Sequence, residues 1–341
     1  MKKSKGTRVW PFVVLWIVLG GLFMTSLWLN CAAVNVLQGH ASATDDPEDE
    51  FPDLSEKGSF GSAGPKVVRI DLNAVISREL SGGGLLGENT ADRVEKWLRQ
   101  IRCATQDEDV KGLLVEVDSP GGGVTCSDEL YHEICRFKEA QEGRVVVALV
   151  HDMAASGAYY AILGADKIVA QPTALVGSVG VLLNGVNAHG LAQKLGLEDV
   201  TLTSGANKDA MNPLKPVNPA QMALLQAEVD TLYERFLGLV AKHRKVPKNK
   251  LRAICDGRVM GAEAALANKL VDQVGYREDA LAALAQLLEA DEVRVVRYED
   301  EKSLMDELFG VSWNGGGFLG RISQALGCGE GAGRLEAKYV P

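Results

Sequence analysis

Short apolar segments alternate with amphipathic segments through the middle of this chain, and this alternation constrains the fold most. Strands separated by helices form parallel sheets that helices cover, joined by right-handed crossovers. We therefore predict an α/β core. The strands predicted from apolar runs are Lys66–Leu72, Gly112–Val117, Arg144–Val150, Lys167–Ala170, Val179–Leu183 and Val293–Tyr298. The predicted helices begin near Thr90, Ser127, Ser156, Pro219, Gly261 and Arg277.

The composition of the chain changes along its length and divides it into five segments. Residues 1–8 are basic, and residues 9–30 form an apolar stretch without charge. Residues 31–65 are acidic and carry glycine, serine and proline, a composition typical of a flexible tether. Residues 66–298 hold the predicted α/β domain, and residues 299–341 form a glycine-rich extension.

The first two segments predict where the chain resides. About 20 apolar residues are enough to cross a bilayer as a helix, and basic residues before such a helix stay in the cytoplasm. We therefore predict one transmembrane signal anchor at residues 9–30. The folded domain would then lie on the extracytoplasmic side. A cleaved signal peptide is the alternative, although its apolar core is usually shorter.

Charge and cysteine usage exclude some classes of partner. The net charge of −9 argues against nucleic acid as the main partner. The six cysteines occur without CxxC pairs or histidine partners, so we expect no zinc site. No motif calls for a cofactor. The sequence therefore favours a protein that works with its own side chains.

Ser156 and Lys208 are candidates for a nucleophile and its base. Ser156 follows an apolar strand and stands among small residues, as a serine does in a sharp strand-to-helix turn. Lys208 lies in a turn of small residues, and a neutral lysine can activate a serine. The alternative is an ordinary helix-capping serine and a surface lysine. Asp209 is a complication, because a nearby carboxylate favours the charged lysine.

Two glycine turns supply candidate oxyanion donors. The turn at Gly122 and the turn at Gly157 follow successive strands, and the carboxyl ends of parallel strands share one edge of a sheet. One backbone N–H from each turn would form a two-donor oxyanion hole. Ser178 lies between two glycines and is a candidate to orient the lysine amine, although a turn serine bonded to its own backbone is the simpler explanation.

Five short sequence blocks follow one another between about Lys66 and Leu288. The blocks are Asp118-Ser119-Pro120-Gly121-Gly122, Ala155-Ser156-Gly157-Ala158-Tyr159-Tyr160, Thr173-Ala174-Leu175-Val176-Gly177-Ser178-Val179-Gly180, Ser204-Gly205-Ala206-Asn207-Lys208-Asp209 and Asp256-Gly257-Arg258-Val259. Together, and in this order, they resemble the signal peptide peptidase A family of serine peptidases. Ala155 stands where a glycine or other small residue is usual in the family, and the glycine-rich tail matches no recognised part of it.

The resemblance implies a ClpP/crotonase-like fold and a serine–lysine dyad. Ser156 would be the nucleophile, Lys208 the general base and Ser178 the residue that orients the lysine. Gly122 and Gly157 would supply the oxyanion N–H groups. The resemblance also implies a ring-like homo-oligomer whose dyad is shared between protomers. The implied substrates are signal peptides or other apolar peptides released by signal peptidase, and the implied location is the bacterial inner (cytoplasmic) membrane.

Two other functional classes remain open on the sequence alone. A crotonase-type enzyme acting on coenzyme A thioesters would share the fold and the two-amide oxyanion hole. It would need neither the Ser156 and Lys208 pair nor a signal anchor. A catalytically silent membrane scaffold is the other alternative.

Overall fold

Parallel strands form the centre of the molecule, which confirms the predicted α/β class. The computed structural model describes residues 54–78 and 92–299. Its main sheet has the strand order β1-β9-β2-β3-β4-β5-β8, and β6 and β7 extend from β4. The strands are β1 (Ser55–Phe60), β2 (Lys66–Leu72), β3 (Val110–Ser119), β4 (Val145–Ala155), β5 (Lys167–Ala170), β6 (Leu175–Gly177), β7 (Val259–Gly261), β8 (Gln273–Val274) and β9 (Arg294–Glu299).

Helices cover both faces of this sheet. They are α1 (Arg93–Gln106), α2 (Val124–Ala140), α3 (Gly157–Ala161), α4 (His189–Lys194), α5 (Pro219–Arg244), α6 (Lys248–Leu251), α7 (Ala262–Ala267) and α8 (Arg277–Leu287). On one face, α1, α2, α3 and the end of α5 enclose the larger apolar core. On the other face, α8 packs against Leu114, Val147 and Leu149. Because β2 to β5 are paired in parallel, their carboxyl ends all meet at one edge.

Three sequence predictions need correction. The strand predicted at Val179–Leu183 is wrong: β6 ends at Gly177, since Gly177 and Ser178 both take positive φ angles that end the extended backbone. The cap of α1 is Asp92, whose carboxylate accepts from two backbone N–H groups of the first turn. The first strand, β1, falls inside the predicted tether and pairs antiparallel with β9.

Several predictions fall on residues outside the described ones. These are the basic segment 1–8, the anchor at residues 9–30, Thr90 and the extension from residue 300. Within residues 54–78 and 92–299, no helix has both the length and the apolar content needed to cross a bilayer.

Candidate active site

Ser156 occupies a strained turn between β4 and α3. Its backbone angles are φ 51° and ψ −122°, outside the regions that a residue with a Cβ normally adopts. Such a conformation costs about 1–3 kcal/mol and persists only where the surroundings fix it. The Ser156 N–H donates to the Gly177 carbonyl at 2.8 Å, and the Ser156 carbonyl accepts from the Tyr160 N–H at 3.0 Å. A serine on a sharp strand-to-helix turn is the arrangement that exposes a nucleophilic hydroxyl.

The two predicted oxyanion turns pack directly against each other. A Cβ placed on Gly121, whose φ is 93°, would lie 2.6 Å from the Gly157 nitrogen. A Cβ placed on Gly157 would lie 3.2 Å from the Gly122 nitrogen. Among the hydrogen bonds of the described residues, neither the Gly122 N–H nor the Gly157 N–H is a donor. Two backbone donors therefore stand side by side next to Ser156, as the sequence predicted.

Residues that the sequence did not reveal hold the Gly122 turn in place. Ile76 brackets it, donating its N–H to the Gly121 carbonyl at 2.9 Å and accepting from the Gly123 N–H at 2.8 Å. The Ser119 hydroxyl donates to the Ala74 carbonyl at 2.6 Å and accepts from the Gly121 N–H at 3.1 Å. Ser119 stands two residues before the glycines of this turn, and that position was the signal in the sequence for its role. Nothing local marks the Ile76 contact, because it joins distant parts of the chain.

Ser127 defines the space beside Gly157. Its hydroxyl donates to the Gly123 carbonyl at 2.8 Å, and the residue is buried at the start of α2. A Cβ on Gly157 would fall 2.2 Å from the Ser127 hydroxyl oxygen, so only glycine fits there without a shift. Gly157 is therefore required for space as well as for its N–H.

Ser178 lies beside the Ser156 turn. It follows Gly177, whose carbonyl accepts the Ser156 N–H, at the end of the strand paired in parallel with the end of β4. Its φ is 50°, and its N–H donates to the Arg258 carbonyl at 2.7 Å. The Asp256 carboxylate binds the Arg258 guanidinium at 2.6 and 2.8 Å and so holds the turn that presents this carbonyl. The Asp256–Arg258 block thus supports Ser178.

His151 is a histidine near the Ser156 strand, but its ring is committed elsewhere. One ring nitrogen bonds the Glu116 carboxylate and the other bonds the Gln171 amide, both at 2.8 Å. Glu116 is buried, which alone would raise its pKa. Hydrogen bonds from Arg277 and His151 and the charge of Arg69 offset that effect and hold the pKa below its usual range. Both ring nitrogens of His151 are therefore engaged in the hydrogen-bond network around the buried Glu116, and neither is available to Ser156.

Among the described residues, no hydrogen bond joins Lys208 to Ser156 within this chain. Lys208 lies exposed in a turn, where its backbone N–H donates to the Gly205 carbonyl at 3.1 Å. Among the contacts of the described residues, its amine has no hydrogen bond or ion pair. The Asp209 carboxylate points elsewhere, to the Lys215 amine at 2.6 Å. The structure therefore brings Ser156, Ser178, Gly122 and Gly157 together and leaves Lys208 apart.

Lys208 belongs to an exposed arm, which we define as residues 181–218. The arm is tied to itself: the Ala188 N–H donates to the Pro213 carbonyl at 2.7 Å, and the Asn187 amide donates to the Lys215 carbonyl at 2.7 Å. Most of its large apolar side chains are exposed. Their exposed fractions reach 95% for Leu202, 86% for Val200, 83% for Val186 and 81% for Leu182.

Comparisons with known proteins show which family the chain is similar to. Residues 138–291, which include Ser156, Ser178 and Lys208, match the model of peptidase family S49. The chain is 35% identical over 255 residues to the protein named signal peptide peptidase SppA in Enterococcus faecium, covering 75% of this chain and 72% of that one. It is 32% identical over 273 residues to a protein of Methanocaldococcus jannaschii named as a protease, covering 80% and 83%.

A solved structure of a ClpP1 mutant from Listeria monocytogenes also aligns with the chain. The identity is 13% and the TM-score 0.39, with 62% of this chain and 93% of that chain covered.

Proposed function

The chain belongs to peptidase family S49, the family of signal peptide peptidase A, and is a serine peptidase, and we propose that Ser156 and Lys208 form its catalytic dyad. The observation that carries the proposal is the strained turn at Ser156, beside which two backbone N–H groups donate to no other described group. Strain of this kind concentrates at functional sites. A serine that merely caps a helix would not require positive φ.

The proposed reaction proceeds through an acyl-enzyme. The Ser156 hydroxyl oxygen attacks the peptide carbonyl while the neutral Lys208 amine takes the hydroxyl proton. The Gly122 and Gly157 N–H groups donate to the oxyanion that forms. Lys208 then protonates the leaving amine. A water molecule next attacks the ester while giving a proton to Lys208, and Lys208 returns that proton to the Ser156 oxygen as the carboxylic acid product leaves. Ser178, next to Ser156, orients the lysine amine.

We further propose that Lys208 reaches Ser156 from a neighbouring protomer in a ring-like homo-oligomer. Two observations support this: Lys208 is exposed and separate from Ser156 within the chain, and it lies on an arm with exposed leucine and valine side chains. Exposed apolar patches on a protein surface commonly mark an interface with another protein. A heterologous contact that closes into a ring would give every Ser156 one partner lysine.

The proposed substrates are signal peptides or other apolar peptides after their release by signal peptidase. The support is the relative named for that activity in Enterococcus faecium and the apolar stretch at residues 9–30. As a signal anchor, that stretch would hold the domain on the extracytoplasmic side of the inner membrane, close to peptides left in the lipid. A coenzyme A thioester enzyme would have no use for the strained serine.

Complementation between two inactive variants tests the shared dyad. Ser156→Ala and Lys208→Ala should each abolish hydrolysis of a denatured-protein substrate, whereas Lys194→Ala, which removes another exposed lysine of the arm, should not. Co-expressed Ser156→Ala and Lys208→Ala chains should regain up to about one quarter of wild-type activity. Two kinds of chain can pair in four ways at each site of a heterologous ring, and only one of these pairings brings an intact serine to an intact lysine. Mixed rings without activity would contradict sharing between protomers.

Covalent labelling separates the peptidase from a silent scaffold. A fluorophosphonate probe should label Ser156 in the intact oligomer, and the labelling should be lost in Lys208→Ala. Full peptidase activity in Ser156→Ala would overturn the assignment of the nucleophile. A well-assembled oligomer that neither hydrolyses peptides nor reacts with the probe would favour the scaffold.

A further inference from the structure

Lys215 joins two carboxylates in the arm next to the proposed base. Its amine lies 2.6 Å from the Asp209 carboxylate and 3.2 Å from the Asp199 carboxylate. The two aspartate side chains are largely covered, with exposed fractions of 16% and 13%. Asp209 is the residue directly after Lys208, so Lys215 neutralises a carboxylate immediately beside the base.

The same cluster fixes the turn that carries Lys208. Asp199 accepts from the Thr201 hydroxyl at 2.7 Å and from the Asn212 amide at 3.2 Å. These hydrogen bonds hold the pKa of Asp199 at about 2, led by the one from Thr201. The Asn212 N–H donates to the Asp209 carbonyl at 2.9 Å. The two ends of the loop are thus tied together, with Lys208 between them.

The groups that face Asp209 come from two elements. Lys215 belongs to the same loop, and the Gln221 amide reaches Asp209 from α5 and also donates to the Ala206 carbonyl. The hydrogen bond from Lys215 holds the pKa of Asp209 below its usual range. Asp209 is therefore a carboxylate anion, and its direction matters to any lysine beside it.

A lysine that acts as a general base must lose its proton first. A free carboxylate within about 4–6 Å stabilises the charged amine and opposes that loss. In this loop Asp209 turns toward Lys215, while Lys208 is exposed to the outside. The Asp209 carboxylate is therefore directed away from Lys208, and its charge is compensated by the Lys215 amine.

We propose that Lys215 is a positioning residue for the proposed base: it holds Asp209 away from Lys208 and compensates its charge, so that Lys208 can deprotonate. This inference rests on the proposed function, since it presumes that Lys208 is the base. Because Lys215 lies outside the proposed dyad and oxyanion hole, this inference can be wrong while the proposed dyad remains correct.

The pH dependence of kcat/KM tests the proposal. Lys215→Met should move the acidic limb of the profile to higher pH by about half a unit or more, about threefold in the active fraction below the limb. Lys215→Arg, which keeps the charge, should restore the wild-type limb. Lys215→Met combined with Asp209→Asn should also restore it, because the uncompensated carboxylate is gone.

A purely structural role would give a different result. Activity would then fall equally at every pH in Lys215→Met, and Asp209→Asn would not restore it; an unshifted limb likewise overturns the proposal. If Lys215→Met disperses the oligomer, Lys215→Gln isolates the charge, since its amide can still bond an aspartate. Full activity in Lys208→Ala would instead overturn the proposed base, so the two failures are distinguishable.

Discussion

The edge of the sheet that carries Ser156 and the arm that carries Lys208 are built in opposite ways. At the sheet edge the backbone is locked by carbonyl contacts, and glycines stand where no larger residue fits. In the arm the polar groups pair with one another, while leucine and valine side chains stand exposed. The proposed nucleophile and the two proposed oxyanion donors lie together within one chain, whereas the proposed base, Lys208, is exposed on the arm.

This difference indicates how the proposed enzyme is controlled. A serine with its oxyanion donors already in place costs no rearrangement at the moment of reaction. Without a base, however, its hydroxyl is a weak nucleophile. If the base comes with the neighbouring protomer, a single chain stays inactive until the ring forms. Changes at the sheet edge should therefore affect each chain, and changes in the arm should affect assembly.

Substitution of two adjacent glycines gives the largest expected contrast. A Cβ on Gly122 would lie 2.0 Å from the Ile76 carbonyl oxygen, which is backbone and cannot turn away. Gly122→Ala should therefore shift an oxyanion donor and lower kcat/KM about 100- to 1000-fold. A Cβ on Gly123 meets nothing closer than 3.7 Å, so Gly123→Ala should retain most activity. Equal losses in the two variants would contradict the proposed donor.

Gly157→Ala should be the next most damaging change, and it can be relieved. The new methyl would strike the Ser127 hydroxyl oxygen, but the next contacts lie at 3.2 Å. Overpacking of this kind costs about 1–3 kcal/mol of unfolding free energy. Adding Ser127→Ala should recover that stability and only part of the activity, since the methyl still lies beside the Gly122 N–H. Thermal unfolding and kcat/KM should be measured on both variants; no recovery of stability would refute the clash.

The sheet edge was more predictable from sequence than the arm. Apolar runs located the central strands, and the paired glycine turns predicted that Gly122 and Gly157 would meet, because parallel strands share an edge. The end of β6 was missed, since the positive φ of Ser178 depends on the Arg258 carbonyl, some eighty residues away. A long-range contact of that kind leaves no local pattern.

In the arm, the sequence drew attention to Lys208 but not to its surroundings. Lys215 forms ion pairs with Asp209 and Asp199 across a loop that has no helical or strand periodicity. No rule of residue spacing therefore predicts these pairs from the sequence. The concern that Asp209 would hold the lysine charged came from adjacency alone. The turn geometry directs the two side chains to different partners. The exposure of the apolar arm was equally invisible, because leucine and valine ordinarily predict burial.

Charging the arm surface should have an intermediate effect that depends on protein concentration. Leu202→Glu should leave the unfolding free energy of each chain within about 0.5 kcal/mol, because an exposed side chain loses no packing. Leu149→Ala, in the buried core, should cost about 2–5 kcal/mol. Leu202→Glu should lower activity about tenfold at dilute protein through weaker assembly. Sedimentation should follow the loss; an intact ring with full activity would remove Leu202 from the interface.

The smallest expected effect is on the pH dependence of stability, and it comes from His243 near the end of α5. This helix begins next to the arm and packs against the core near its end. His243 bonds the Tyr131 hydroxyl at 2.7 Å, and burial, together with nearby Lys242, Lys138 and Arg244, lowers its pKa. The unfolded chain therefore binds more protons below about pH 6.5, so this contribution to unfolding free energy is complete above that pH and decreases as the pH falls through it. Denaturant unfolding at pH 7.5 and 5.5 should show a smaller difference in His243→Gln than in wild type. If the two proteins show the same difference in unfolding free energy between the two pH values, protonation of His243 does not destabilise the core. If only the wild-type ring dissociates at pH 5.5, protonation of His243 acts on assembly instead.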